Sequence, residues 1–543
     1  MESLADLLER QAEMLENIGE SASSTQNSLS MRWAGRNSVM SAIKTTSSNV
    51  QKEAQTAAAM GRTLRQIAET YRLTENRIAG YETGIPQGGN QGNNGQGSVI
   101  KPTKNEKDQN GENKSSGVYS TDPVNLNNGN FILDNKDMEI GGEIPLVLGR
   151  FYNSRGDFSG MLGDDWNTNF EMKLFKAPMH QLFGNDICIM LEDGREEYFS
   201  SADGKKYRSD FGSTAELSKC DDGYIYETLE GKKYYFNELG QYTRFENAHS
   251  VGFDLIYDGE KLQTVKKDSG EGFAFFYNEE GKLQEVKDHA GRSCKYIFEK
   301  NRLQQVVLPD ENKYEYSYNP YGKIKRVINP RNVDAVETEY DDLHRVVHQK
   351  FADDTTNIFE YNDVEMSVTM TERNGSKSIH YHNEKYQNIR NVYPDGEESF
   401  IYNEKGQKTA ATDKLGNTTH IQYDNKGNMT GLILPDKTKI AATYDKRNHL
   451  LTMSVNGKMK IHNQYNECGD LINSTDGVGR KTAYTYDEKG RLISVKRADG
   501  SQVSAVYDAH GNMKTLTDAT GGIWEYEYNE WNQIVSQKDA MGR

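Results

Sequence analysis

A dipeptide recurs through the second half of the sequence: an aromatic residue, nearly always tyrosine, followed in most cases by Asp or Asn. From Tyr257-Asp258 the aromatic returns at Tyr277, Phe298, Tyr318, Tyr340, Tyr361, Tyr381, Tyr402, Tyr423, Tyr444, Tyr465, Tyr486, Tyr507 and Tyr528. The steps are 20, 21, 20, 22, 21 and 20 residues, then seven of 21. Self-similarity of this length makes the region an array of one supersecondary unit and constrains the fold more than any local propensity does.

The unit reads as a β-hairpin. In Tyr484-Thr485-Tyr486-Asp487-Glu488-Lys489-Gly490-Arg491-Leu492-Ile493-Ser494-Val495, Tyr484 and Tyr486 share a strand face, and Leu492 and Val495 lie on the returning strand. Asp487 can bond to its own downstream backbone, and Gly490 accepts the positive φ of a tight reversal with a bulge. A second turn at Ala498-Asp499-Gly500 sends the chain back, so each period supplies two strands of one antiparallel sheet. A single unit cannot bury its own face; neighbouring units or the curl of the sheet must cover it.

The 543 residues include 32 tyrosines and 49 glycines but only 35% apolar residues, which suits many short, half-exposed strands. Net charge is -16, nearly all of it beyond residue 82, and argues against a nucleic-acid-binding shaft. Cys188, Cys220, Cys294 and Cys468 form no CxxC pair, so neither a zinc knuckle nor a disulfide framework is indicated. MESLADLLER lacks the basic n-region and apolar run of a cleavable leader, and no stretch reaches the roughly 18 apolar residues of a membrane span. Export without a classical signal peptide and without stable membrane insertion is the expectation.

Ahead of the array the character changes twice. In residues 1–82, Leu4, Leu7, Leu8, Leu15, Ile18, Ala22 and Leu29, then Val39, Ile43, Val50, Ala54, Ala57, Leu64, Ile67, Tyr71 and Ile78, give two amphipathic stripes. They predict an antiparallel α-helical hairpin with arms of roughly 40 Å, ended by Gly80. Residues 83–117 are rich in Gly, Asn and Gln and read as a flexible linker. Residues 118–235, with Phe131-Ile132-Leu133 and Leu146-Val147-Leu148 between Asn-Gly and Gly-Gly dipeptides, predict an all-β module feeding the array over 236–543.

Two resemblances follow. The pattern Tyr-Asp-x-x-Gly-Arg/Asn-Leu/Met, clearest at Tyr423-Asp424 with Gly427-Asn428-Met429, at Tyr486-Asp487 with Gly490-Arg491-Leu492 and at Tyr507-Asp508 with Gly511-Asn512-Met513, resembles the YD repeat of Rhs-type polymorphic toxins. Asp122-Pro123-Val124, Asn128-Gly129-Asn130-Phe131, Pro145-Leu146 and Arg150-Phe151-Tyr152-Asn153-Ser154 look like the module that opens the Rhs core. The resemblance implies a mainly β fold, a hollow antiparallel shell around a C-terminal toxin domain, and an immunity protein as partner. The family's Asp-Pro-x-Gly closing segment is not found, and the sequence stops at Arg543 inside a repeat, so the array is expected to be incomplete at its C-terminus. Trp33-Ala34-Gly35 between two helical stripes, with Tyr71 and Glu75 one helical turn apart on the second, is similar to WxG-type substrates of type VII secretion in Gram-positive bacteria. This implies that Trp33, Gly35, Tyr71 and Glu75 are read by the export machinery, with small helical proteins as companions. The plain packing reading makes Trp33 a plug for the hairpin end and Tyr71 a seam residue.

Catalytic, cofactor and metal sites are not expected. His344 and His348 are placed on a strand, where a separation of four leaves them roughly 13 Å apart. His380 and His382 share a strand face but lack a third ligand. The aspartates do not have the ligand spacing of a calcium loop and read as turn formers, and no nucleophile elbow or phosphate loop is present. The rival to a toxin scaffold is a cell-surface adhesin or carbohydrate-binding protein whose tyrosines stack on sugars.

Overall fold

The computed structural model describes residue 120 and residues 124–156, 158–176, 187–209 and 215–543, all in the second of the two units into which the chain divides, Arg77–Arg543. The helical hairpin and linker expected over 1–117 lie outside the described residues. Every regular element among those described is a strand, and the 42 strands are numbered β1–β42 in chain order.

The repeat folds as its letters require. β37 (Lys481–Tyr486) pairs antiparallel with β38 (Leu492–Lys496); Tyr486 faces Leu492 while Thr485 faces Ser494, so Ile493 is the extra residue of a β-bulge. The Asp487 N–H donates to the Arg491 carbonyl and the Gly490 N–H to the Asp487 carbonyl, both at 3.0 Å. Asp487 Oδ1 accepts the N–H groups of Lys489 (3.0 Å) and Arg491 (2.9 Å). Gly490 sits at φ +80°, the left-handed conformation that closes such a turn. His344, Tyr386, Asn448 and Asn532 hold the same left-handed position in their repeats. His344 is therefore a turn residue, not the strand residue expected, and only His348 lies on a strand, β24 (Val346–Phe351).

The first and last residues of the turn are matched chemically. Where the first is Asp, its second carboxylate oxygen takes a donor from the residue four on, as in Asp288–Arg292, Asp341–Arg345, Asp487–Arg491, Asp424–Asn428 and Asp508–Asn512. Where the first is Asn, its amide nitrogen instead donates to a Gln carbonyl, as in Asn237–Gln241, Asn403–Gln407 and Asn529–Gln533. A carboxylate is acceptor-only and an amide nitrogen donor-only, so in these turns the fifth side chain supplies the complement; in Asn278–Lys282 and Asn319–Lys323 the fifth residue gives its backbone N–H to the Asn carbonyl oxygen.

The aromatic is more than core. Eleven ladder tyrosines, Tyr277, Tyr318, Tyr340, Tyr361, Tyr402, Tyr423, Tyr444, Tyr465, Tyr486, Tyr507 and Tyr528, donate their hydroxyl at 2.5–3.0 Å to the backbone carbonyl that opens the returning strand of the preceding repeat. The acceptor is 15 residues earlier in nine cases, 16 for Tyr340 and 14 for Tyr402. At one position the expected ladder is out of phase. In β27 (Lys377–His382) the bulge falls between Tyr381 and His382, and Asn383 closes the turn, so His382 takes the aromatic's place. His380 and His382 do share the inward face, as expected.

A four-stranded sheet, ordered β1 (Val124–Asn125), β2 (Asn130–Ile140), β3 (Leu146–Asn153), β6 (Trp166–Thr168), precedes the array. The array is an unbroken antiparallel ribbon from β7 (Lys173–Lys176) to β42 (Ile534–Lys538), each strand bonded to the next. The outer edge of β7 is closed by the ribbon's own turn at 237–241: Leu174 N–H donates to Gly240 O at 2.9 Å, and Lys173 bridges Gln241. The paired strands show this as the closure; β42 pairs with β41 (Ile523–Tyr528) and, among the described residues, carries no second ladder.

The turn complementarity gives a double-mutant test. Asp487→Asn should cost about 0.5–1 kcal/mol by setting an amide nitrogen against the Arg491 donors, and adding Arg491→Gln should recover most of the loss. Urea unfolding of the four proteins measures this; additive losses would show that the turn residues act independently.

Candidate functional site at the inner wall and coil seam

The four-stranded sheet packs on the inward face of the ribbon. Phe170 meets Phe253, Phe273 and Phe275 edge-on at centroid distances of 6.2, 6.3 and 5.9 Å. Trp166 Nε1 donates to Tyr318 Oη (3.1 Å), and Tyr152 Oη accepts the Ile324 N–H (2.9 Å). Val346 N–H donates to Gly129 O and Leu283 N–H to Met161 O, at 3.0 and 2.9 Å.

At the centre is a buried ion pair. Arg150 Nε bonds both oxygens of Asp137 at 2.8 and 2.9 Å, and another guanidinium nitrogen donates to Tyr316 Oη. Tyr296 donates to Asp137 at 3.0 Å, and the Arg150 guanidinium stands over the rings of Trp166, Tyr314 and Tyr316. Burial raises the Asp137 carboxyl against the pull of Arg150 and the hydrogen bonds. Desolvation acts on Arg150 in the opposite sense, but Asp137 and Tyr316 hold the guanidinium pKa above its ordinary value.

Beyond this sheet the wall changes. The inward row Phe275, Val286, Cys294 is buried, as is the row Leu255, Val265, Phe273. No hydrophobic residue after Leu432 is buried among the described residues. The equivalent rows Tyr484, Val495, Val503 and Ala505, Leu516, Trp524 are only half-buried.

The ribbon also contacts itself across long sequence distances. His249, in the turn between β14 (Tyr242–Glu246) and β15 (Gly252–Asp258), meets Asp470 at 2.9 Å and lies beside Gly490, where an added Cβ would be 2.2 Å from its ring. Glu271, between β16 (Lys261–Lys267) and β17 (Gly272–Tyr277), meets His510 at 2.6 Å and Asn532 at 3.1 Å. His289, between β18 (Leu283–Asp288) and β19 (Ser293–Glu299), meets the Glu530 carbonyl at 2.8 Å. The turns holding Gly490, His510 and Glu530 follow β37, β39 (Gln502–Tyr507) and β41, each 23 strands after the turn it touches. The same turns also reach 21 strands on, from His249 to Asp470, and 25 strands on, from Glu271 to Asn532, so the ribbon is a coil with about 23 strands per turn.

Gly141-Gly142-Glu143 threads this seam. Gly141 N–H donates to Trp531 O (3.0 Å), Glu143 N–H to His510 O (3.2 Å), and Lys267 Nζ to Gly141 O (2.7 Å). A Cβ on Gly142, at φ +100°, would lie 2.7 Å from the His510 carbonyl. The sequence showed this Gly-Gly as a turn and gave no sign of what it passes between.

Trp33, Gly35, Tyr71 and Glu75 lie outside the described residues. His380 is buried between Ser378 and Asn391, 2.8 Å from each, and burial lowers its pKa. Among the described residues, no group of three or more His, Cys, Asp or Glu is placed to hold a metal ion.

Comparison with known families agrees with this anatomy. The RHS repeat model matches residues 465–502 and 507–543, and the teneurin YD-shell model matches 272–406. These segments of the ribbon carry RHS and YD-shell repeats. Residues 121–199, spanning the inner sheet and the start of the ribbon, match a domain of unknown function, DUF6531. No curated protein matches the chain. Among solved structures it is similar to TcdB2-TccC3 (13% identity, 65% of this chain and 24% of that one, TM-score 0.44). It is likewise similar to the Photorhabdus luminescens Tc holotoxin pore (11% identity, 77% and 24%, TM-score 0.40). The chain spans about a quarter of the length of these structures.

Arg150→Met alone should cost the shell about 3–5 kcal/mol, because it strands the buried Asp137 charge, whereas Arg150→Met with Asp137→Leu should lose far less. Urea unfolding followed by circular dichroism compares them; a single variant as stable as the native shell would remove the pair from its central place.

Proposed function

We propose that this protein is the container of a secreted antibacterial toxin, its coil enclosing a polypeptide effector carried at the C-terminal side. The observation that carries this reading is the inner wall: its buried side chains form one core with the four-stranded sheet as far as Met370, and after Leu432 the rows Tyr484, Val495, Val503 and Ala505, Leu516, Trp524 are half-buried. An apolar concave surface of this extent favours a polypeptide against it.

The coil sets the scale. A turn of 23 strands at about 4.8 Å spacing is about 110 Å round, hence about 35 Å across between backbones, and side chains narrow the bore to about 25 Å. A folded domain of about 100 residues has a radius of gyration of about 13 Å, a sphere of about 34 Å. Cargo of that size enters only in a non-native, extended state.

The reading extends to export and partners. The amphipathic head with Trp33, Gly35, Tyr71 and Glu75 presents the protein to type VII secretion, which places it outside the cell without a classical leader, and an immunity protein guards the producer. The described portion has no role in chemistry; catalysis belongs to the effector. The carbohydrate-binding alternative gains nothing from the ladder tyrosines, whose rings face inward and whose hydroxyls bond to the preceding repeat.

Containment is tested by extending the chain beyond Arg543 with an unstructured, protease-sensitive polypeptide. Cleavage should be at least about tenfold slower than for the same polypeptide attached ahead of Met1; equal rates would rule out enclosure. Export is tested separately: Trp33→Ala or Tyr71→Ala should abolish secretion from a type VII-competent host, and normal secretion of both variants would sink that part.

A further inference from the structure

We propose that the two uncovered edges of the coil are interaction surfaces for a second copy of this chain, one edge of a copy seating on the opposite edge of the next. Turns after a ladder aromatic, the Tyr-Asp turns, lie on one edge of the ribbon, and turns between repeats lie on the other. Each seam contact within the chain sets a Tyr-Asp turn of the later coil turn against an inter-repeat turn of the earlier one. This stacking leaves two edges without a counterpart among the described residues: the Tyr-Asp turns of the first coil turn and the inter-repeat turns of the last. The five most exposed large hydrophobic side chains among the described residues all lie there. Leu239 (76%) and Val364 (93%) are on the first edge; Leu415 (87%), Val478 (78%) and Met541 (76%) are on the second.

These residues share one position. Each is the apex, the third residue, of its turn and donates its N–H at 2.9–3.1 Å to the Asn or Asp side chain that opens the turn. Tyr321 and Leu343, also exposed apices of the first edge, make the same bond. So do His249, His510 and Trp531, the apices at the internal seam. There the apex is the residue that reaches across: His249 meets Asp470, His510 meets Glu271, and the Trp531 carbonyl accepts the Gly141 N–H. On the uncovered edges the same preset position holds Leu, Val or Met, and the side chain stands in solvent.

A solitary exposed apolar residue is ordinary. A series of them, fixed at one turn position on two opposed edges, is a surface for association. The seam shows which edge fits which, and one copy carries both halves of the contact, so a second copy supplies the partner. The contact is heterologous: the Tyr-Asp edge of one molecule meets the inter-repeat edge of another, and a pair still presents one free edge of each kind. Such a contact repeats and builds an open stack that continues the coil from one molecule into the next. A few apices bury little area, so the association is weak and follows concentration.

Sedimentation velocity of the full chain between about 1 and about 100 μM tests this. The weight-average mass should rise at least about twofold over that range, with no plateau at the dimer. Leu239→Glu/Val364→Glu charges the first edge and Leu415→Glu/Val478→Glu the second; each variant should stay monomeric and keep the native far-UV spectrum, because all four side chains stand in solvent. An equimolar mixture of the two variants should give dimers and nothing larger, since one intact edge of each kind remains. A native chain that stays monomeric, a variant that still associates with itself, or a mixture without dimers overturns the proposal. Self-association of both variants would move the contact to the open side of β42.

Discussion

Everything in the array depends on one hydrogen bond, the tyrosine hydroxyl reaching the carbonyl that opens the returning strand of the preceding repeat. An antiparallel ladder alone permits slippage, and a slip of one residue turns every inward side chain outward. In most repeats a bulge before the returning strand leaves two residues opposite one, as at Tyr486, whose hydroxyl meets the Leu471 carbonyl; Tyr361 makes the same bond without a bulge. Register is thus checked once per repeat by a bond worth about 1 kcal/mol, and the checks accumulate along the ribbon. Phe298 has no hydroxyl to donate to the Leu283 carbonyl, and the Leu283 N–H donates to the Met161 carbonyl.

Local structure was legible in the letters because its causes lie within one period. Asp487 and Gly490 predicted the turn, the spacing of Tyr484 and Tyr486 predicted a shared face, and the second turn at Gly500 predicted the meander. The phase error at Tyr381 has a physical cause. The aromatic residue follows the repeat in sequence, but the turn marks it in structure, and Asn383 with Gln387 makes the turn that fixes His382 in the tyrosine's place. His344 illustrates the same point: a residue that resembles a strand neighbour of His348 occupies the left-handed site usually given to glycine.

The candidate site was far less legible. His249, Asp470, Glu271 and His510 are ordinary surface letters within their own repeats, and nothing nearby in sequence specifies their partners. Their pairing depends on how many strands complete a coil turn, which is set by the summed twist and curl of the ribbon. The same holds for Arg150 and Asp137. They lie on adjacent strands of the inner sheet, but the rings of Tyr314 and Tyr316 that surround the guanidinium come from the ribbon, well over a hundred residues away.

The number 23 carries a constraint of its own. In a meander all Tyr-Asp turns lie on one edge of the ribbon and all inter-repeat turns on the other. Stacking one coil turn on the next brings opposite edges together, so the offset between touching turns must be an odd number of strands. Each observed contact obeys this: the inter-repeat turns holding His249, Glu271 and His289 meet the Tyr-Asp turns holding Gly490, His510 and Glu530. The Tyr-Asp edge is chemically uniform, since its caps are satisfied within each turn. Recognition across the seam must therefore come from the variable residues that the repeat pattern leaves free, and the inserted Gly-Gly loop ties the inner sheet to the same line. A coil joined in this way can loosen along its seam while every strand keeps its ladder, because the contacts that join its turns are separate from those that make its sheet.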